Sequence, residues 1–282
     1  MASQKLDPVY TETPMGQNLI EEHLRKRQTQ GQVGLIPYLT AGFPNLATTL
    51  EILLAMEQAG ADIIELGIPF SDPLADGSTI QRASAQALAQ GITLLNCLEL
   101  CAQLRRRGLR VPLVLMGYYN PILSYGIQQA ARDASDSGVQ GFIVPDLPIE
   151  EAGPLRIACD AHNLSYIPLL APTSTEKSIA GACAAATGFI YCVSLTGVTG
   201  SRSSLPASAP ELVAKVRRHS SLPVAVGFGI SQSEHVQAVG AYAEAVVVGS
   251  SLIECIEAAP GHEAFATHSF LKGLRDAPTP VT

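Results

Sequence analysis

Eight short runs rich in β-branched and other apolar residues recur along the chain, each separated from the next by stretches with helical spacing. The runs span 34–39, 62–66, 112–116, 141–144, 166–169, 189–193, 224–227 and 245–248. Ala-, Leu- and Glu-rich segments with apolar residues three and four apart lie between them, at 46–58, 79–89, 94–106, 150–162, 174–185 and 210–219. Strand–helix alternation predicts parallel strands joined by crossover helices. Eight such units in 282 residues favour an α/β fold of the closed (β/α)8 TIM-barrel type. An open doubly wound sheet is the alternative, but no G-x-G-x-x-G turn follows the first run.

No low-complexity linker divides the chain, so a single catalytic domain is expected over 17–275, with a flexible leader at 1–16 and a flexible tail at 276–282. Within 17–27, Ile20 and Leu24 are four apart among charges, which predicts a short amphipathic helix able to plug the barrel floor. Hydrophobic residues make up 47% and aromatic residues 5% of the chain, and Trp is absent. The core must therefore be built from Val, Ile, Leu and Ala. A net charge of −7 without a basic run argues against nucleic acid as the main partner, because binding its backbone requires a positive patch. Cys97, Cys101, Cys159, Cys183, Cys192 and Cys255 form no C-x-x-C pair. A chain of this size needs no disulfide staples, so reduced thiols and a cytoplasmic location are expected. There is no apolar run of transmembrane length and no apolar signal core.

Pro and Gly cluster just after the predicted strands, where a barrel carries its active-site loops. Thr199-Gly200, Gly227 to Ser231 and Gly249-Ser250 follow the sixth, seventh and eighth runs. Any one of these glycines alone reads as an ordinary tight turn. Three small-residue turns after three successive strands predict a phosphate cradle, with Gly229, Gly249 and Gly200 admitting the anion to the backbone and Ser250 donating a hydroxyl. The polar loop around Arg202 reads either as a lid or as plain surface.

Glu65 stands alone in an apolar strand, at its C-terminal end, where desolvation would raise its pKa and prepare it for proton transfer. A salt-bridged structural carboxylate is the competing interpretation. The following loop, Pro69 to Gly77, supplies Asp72 and Asp76. Two carboxylates around one pocket can divide the work, one ionised and one protonated, but chemistry alone does not choose between these two. The six histidines show neither HxH nor HExxH spacing, so no metal site is expected.

The string from Glu65 through Pro69-Phe70-Ser71-Asp72-Pro73-Leu74-Ala75-Asp76 to Gly77 resembles the signature of the tryptophan synthase alpha subunit family. So do Pro37 to Gly42, Val144 to Pro148, Gly197 to Gly200, Val226 to Ser231 and Val248 to Ser250, across about residues 18–275. The resemblance implies a lyase that splits indole-3-glycerol phosphate into indole and glyceraldehyde 3-phosphate. It assigns the general acid–base to Glu65 and the charge-stabilising contact with the indole N–H to Asp76. It places Tyr38, Tyr118, Tyr191, Thr199 and Phe228 in the pocket and Gly200, Gly229, Gly249 and Ser250 at the phosphate. It implies no cofactor on this chain, and a beta subunit, carrying pyridoxal phosphate, as partner in an alpha2-beta2 assembly. A stand-alone lyase with the same barrel and acids is the alternative. Ser78 replaces the family's usual proline, and Tyr242-Ala243-Glu244 replaces a more usual Gly-Ala-Asp; neither touches the two acids.

Overall fold

A computed structural model describes residues 19–193, 208–227 and 229–275. Among them nine parallel strands form one sheet: β1 (Gly34–Thr40), β2 (Ile64–Gly67), β3 (Leu113–Met116), β4 (Gly141–Ile143), β5 (Ser165–Ile167), β6 (Leu169–Leu170), β7 (Ile190–Val193), β8 (Val224–Gly227) and β9 (Ala245–Val248). Their lateral order is β5-β4-β3-β2-β1-β9-β8-β7-β6. The two ends of that order are consecutive in the chain. β5 and β6 are one stave broken at Pro168, which has no N–H to give the ladder. Its first half pairs with β4 and its second with β7, and the Tyr191 N–H donates to the Pro168 carbonyl at 3.1 Å. The ring thus closes as the expected eight-stave barrel, with 166–169 corrected to two segments.

Helices cover the outside: α1 (Leu19–Thr29), α2 (Leu46–Gln58), α3 (Ser78–Ala89), α4 (Leu94–Arg106), α5 (Tyr119–Tyr125), α6 (Ile127–Asp136), α7 (Gly153–Ala161), α8 (Glu176–Ala185), α9 (Ser208–Arg217), α10 (Ser233–Gly240), α11 (Ser250–Glu257) and α12 (Glu263–Arg275). α5, α6, α10, α11 and α12 had no counterpart in the sequence pattern. The first four are of seven to ten residues, and α12 buries only Thr267, Leu271 and Leu274. α7 begins at Gly153 rather than 150 because Pro154 occupies its first turn, where its missing N–H costs nothing. No helix among the described residues is long and apolar enough to cross a membrane.

Alternate strand residues face opposite sides, so the sheet divides the core in two. Leu35, Leu39, Leu66, Leu115 and Val226 face the helices. Ile36, Ile63, Val114, Ile143, Ile167, Phe189, Ala225 and Ala245 fill the interior together with Ile20 and Leu24 of α1. α1 is the floor plug that its spacing predicted. Gly34 shows why that position carries no side chain: a Cβ there would lie 2.7 Å from a Leu24 methyl. Below the floor, buried Asp62 accepts the Leu35 N–H at 2.8 Å and pairs with Arg27 of α1 and Arg275 of α12. Asp62 is therefore a tether at the start of the second stave, not part of the strand predicted over 62–66.

If α1 is integral to the barrel, Leu24→Ala leaves a cavity under the β-ring and should cost roughly 3 kcal/mol, within the usual range for a buried leucine. Urea unfolding checks this. An unchanged midpoint would mean that α1 merely leans on the surface.

Candidate active site

Parity along the strands places Glu65 with Ile63 on the inner face, one layer nearer the C-terminal mouth. Its register partners are Tyr38 on β1 and Val114 on β3. Glu65 is completely buried, and neither carboxyl oxygen has a hydrogen-bond partner among the described residues. Burial, reinforced by the charge of Asp76, pushes its pKa up to about 8. At neutral pH the group carries its proton. It is an acid kept neutral by its surroundings, not the salt-bridged carboxylate of the competing interpretation.

Asp76 closes the loop between β2 and α3, just before Gly77 caps the helix. Turns hold it there: the Asp76 N–H donates to the Pro73 carbonyl at 3.0 Å, and the Gln81 amide donates to the Asp76 carbonyl at 3.0 Å. Burial raises its carboxyl to about 6, against the lowering effect of a hydrogen bond from the Tyr118 hydroxyl. Asp72, four residues earlier, is exposed and accepts a hydrogen bond from Ser71. The two acids that composition and spacing left equivalent are thus separated by geometry: Asp76 acts on Glu65, and Asp72 faces solvent.

Three tyrosines line this mouth. Tyr38 is 6% exposed, with its hydroxyl 3.2 Å from Thr40 Oγ1. It fits because β2 offers Gly67, where a Cβ would meet the Tyr38 hydroxyl at 2.2 Å. Tyr191 is accommodated the same way by Gly227, where a Cβ would come within 2.7 Å of the ring. Burial comes first among the causes that raise both phenols, followed by Asp76 for Tyr38 and by Glu65 for Tyr191, so all four groups share one neighbourhood. Tyr118 follows β3 and stacks on Phe70 with centroids 5.0 Å apart, and its hydroxyl accepts the Ala75 N–H at 2.9 Å. Asp146, from the loop after β4, accepts the Tyr119 N–H at 2.9 Å. Phe70 and Asp146 lay inside the family strings, but only the fold reveals what they touch.

Two staves round the ring from β2, Gly249 follows β9 and caps α11, which begins at Ser250. The first N–H groups of a helix have no intrahelical partner and favour an anion. Gly249 lies against Tyr38: a Cβ there would be 3.7 Å from the Tyr38 Cβ. Ser251 donates its hydroxyl to the Ile230 carbonyl, tying the loop after β8 to the start of α11. Gly229, with φ +31°, stands in that loop with open space around it. Thr199, Gly200, Arg202 and Phe228 lie outside the described residues. Among the described residues, no three of His, Cys, Asp and Glu converge as metal ligands would.

The chain matches the family model described as tryptophan synthase alpha chain over residues 24–275. It is 51% identical over 257 residues to a tryptophan synthase alpha chain from Roseiflexus sp. (strain RS-1), covering 91% of this chain and 98% of that one. Its counterpart in Chloroflexus aggregans is 47% identical over 261 residues, with 92% and 98% covered. Among solved structures, tryptophan synthase subunit alpha from Legionella pneumophila superposes with a TM-score of 0.83 at 36% identity, covering 93% and 98% of the two chains. A chain of the tryptophan synthase complex from Pyrococcus furiosus does so at 0.79 and 37%, covering 86% and 97%.

The Glu65 carboxyl makes a signed prediction for stability. Its folded pKa, about 8, lies above the usual value of 4.5, so folding is progressively penalised as pH rises from about 4.5 to about 8. Glu65→Gln should therefore stabilise the fold by a few kcal/mol at pH 8 and by little at pH 4. Thermal melts across that range test it; a uniform loss of stability would show that the carboxylate is paired after all.

Proposed function

The chain belongs to the tryptophan synthase alpha chain family, and from that premise we propose how its residues divide the reaction. It is a carbon–carbon lyase of tryptophan biosynthesis that cleaves indole-3-glycerol phosphate to indole and glyceraldehyde 3-phosphate. Protonated Glu65 delivers its proton to the indole ring carbon that bears the side chain. The ring nitrogen becomes cationic, and ionised Asp76 stabilises that charge through the indole N–H. Glu65, now a carboxylate in an apolar site, is a strong base and helps take the proton from the side-chain hydroxyl. The carbon–carbon bond then breaks: its electron pair returns to the ring, neutralising the nitrogen, while the hydroxyl carbon becomes the aldehyde. The observation that carries this assignment is a neutral, unpartnered Glu65 facing a lower-pKa Asp76 across one barrel mouth.

Tyr38, Tyr118 and Tyr191 wall the aromatic end of the pocket, and we assign Thr199 and Phe228 to it by family likeness. Gly229, Gly249, Ser250 and Gly200 would hold the phosphate, the described three supported by their place around the N-terminus of α11. Every proton in this cleavage is moved by the chain's own carboxyl groups, so we assign it no metal or organic cofactor. We place the chain in the cytoplasm, in keeping with the absence of disulfides among its described cysteines.

For a partner we propose a beta subunit carrying pyridoxal phosphate, in an alpha2-beta2 assembly. Relatives solved as complexes support a partner. So do two exposed apolar side chains: Leu74, on the loop that carries Asp76, is 93% exposed, and Leu123, 52% exposed, borders a groove with Ile127 and Pro154.

Indole release from purified protein, with and without a beta subunit, tests the activity. Glu65→Gln should lower turnover by about a thousandfold or more while leaving glycerol phosphate binding intact; near-normal turnover would overturn the acid–base role. Activity should trace a bell, rising as Asp76 ionises near pH 6 and falling as Glu65 loses its proton near pH 8. Leu123→Asp should weaken capture of the beta subunit at least tenfold without changing the isolated chain's turnover; unchanged capture would move the interface elsewhere.

A further inference from the structure

The Tyr118 hydroxyl is engaged within the protein itself. Its oxygen accepts the Ala75 N–H at 2.9 Å, which leaves its own hydrogen for the neighbouring Asp76 carboxylate, whose pKa the hydroxyl lowers. Its ring is fixed from the other side by Phe70, whose plane lies at 26° to its own. The next residue is held as well, because the Tyr119 N–H donates to Asp146. One side chain therefore holds the loop after β2 at both ends: Phe70 at its start and Ala75, next to Asp76, at its end. The residues between, Ser71, Asp72, Leu74 and Ala75, are exposed, and little else within the described fold holds them against the barrel. The remaining bonds of this loop are its own turns and Gln81 of α3.

We infer that Tyr118 is a positioning residue, whose hydroxyl clips the Ala75–Asp76 end of the β2–α3 loop and sets the Asp76 carboxylate opposite Glu65. The inference rests on the roles proposed above for those two acids. The physical case is a balance of forces on Asp76. Burial opposes its charge, and Glu65 on β2 and the phenols Tyr38 on β1 and Tyr191 on β7 share its neighbourhood without a cation among them. The Tyr118 hydrogen bond is the one contribution that lowers its pKa. A hydrogen bond to the ionised form favours that form. Tyr118 thereby widens the gap between the two acids that the division of labour requires, and it does so from β3, a different stave from the one carrying Glu65.

Tyr118→Phe keeps the ring and its stack on Phe70 and removes only the hydroxyl. In the full-length chain, kcat should fall by about ten- to a hundredfold with KM for indole-glycerol phosphate changed less than about threefold. The acid limb of the pH profile should move to higher pH, because Asp76 holds its proton longer. The amide of Ala75 should exchange about fivefold or more faster, having lost its acceptor. Installing 3-fluorotyrosine at position 118 retains both bonds with a stronger donor, so the acid limb should move to lower pH; this variant also serves if Tyr118→Phe folds poorly. A rise in KM alone with an unmoved pH profile would reduce Tyr118 to a wall of the pocket and overturn the inference, as would unchanged exchange at Ala75. If the parent chain released no indole, the proposed activity would fail first. The Ala75 exchange and a carboxyl NMR titration of Asp76 would then still decide the positioning role.

Discussion

A carboxyl group enclosed by a ring of parallel strands, with neither oxygen hydrogen-bonded among the described residues, is the feature on which the rest of this protein depends. An unpartnered buried carboxylate is costly enough that the group keeps its proton instead. That outcome requires the ring to be closed and dry at the level of Glu65. Closure is completed by one stave that bends at Pro168 and reaches both neighbours. The dryness comes from Ile36, Ile63, Val114, Ile143, Ile167 and Phe189 packed beneath it.

The two ends of the barrel are built to opposite purposes. Below, α1 inserts Ile20 and Leu24, and Asp62 fastens α1 and α12 to the entrance of the second stave. Above, glycines stand where the strands end, at Gly67, Gly227 and Gly249, and tyrosine rings occupy or border the space that side chains there would have filled. Stability is concentrated at the floor, so the mouth is free to hold groups that are poorly satisfied on their own. Glu65 and the phenols of Tyr38 and Tyr191 all sit where water would be needed to ionise them and is excluded.

Asp76 differs in kind because it comes from a loop. A strand fixes Glu65 through its ladder to β1 and β3, but a loop residue has only turns and side-chain contacts to place it. Tyr118 supplies the contact from β3, Gly77 lets α3 begin directly afterwards, and Leu74 on the same loop stands out into solvent. One short segment therefore carries both the acid that faces Glu65 and an exposed leucine.

The order of short apolar runs and helical stretches determined the barrel class, because period 2 and period 3.6 patterns cannot exchange roles along a chain. It likewise marked Glu65, since a lone acid in an apolar strand is conspicuous before any contact is known, and it foresaw α1 as the floor from the spacing of Ile20 and Leu24. It does not show that Asp62 stands outside the strand as a tether, because the partners are Arg27 and Arg275, the latter more than two hundred residues away. Asp72 and Asp76 were chemically equal on paper. Family likeness points to Asp76 without a physical reason; tertiary structure supplies it, by turning one toward solvent and the other toward Glu65, because desolvation and the reach of a hydroxyl from another stave are properties of assembled surroundings and not of sequence neighbours.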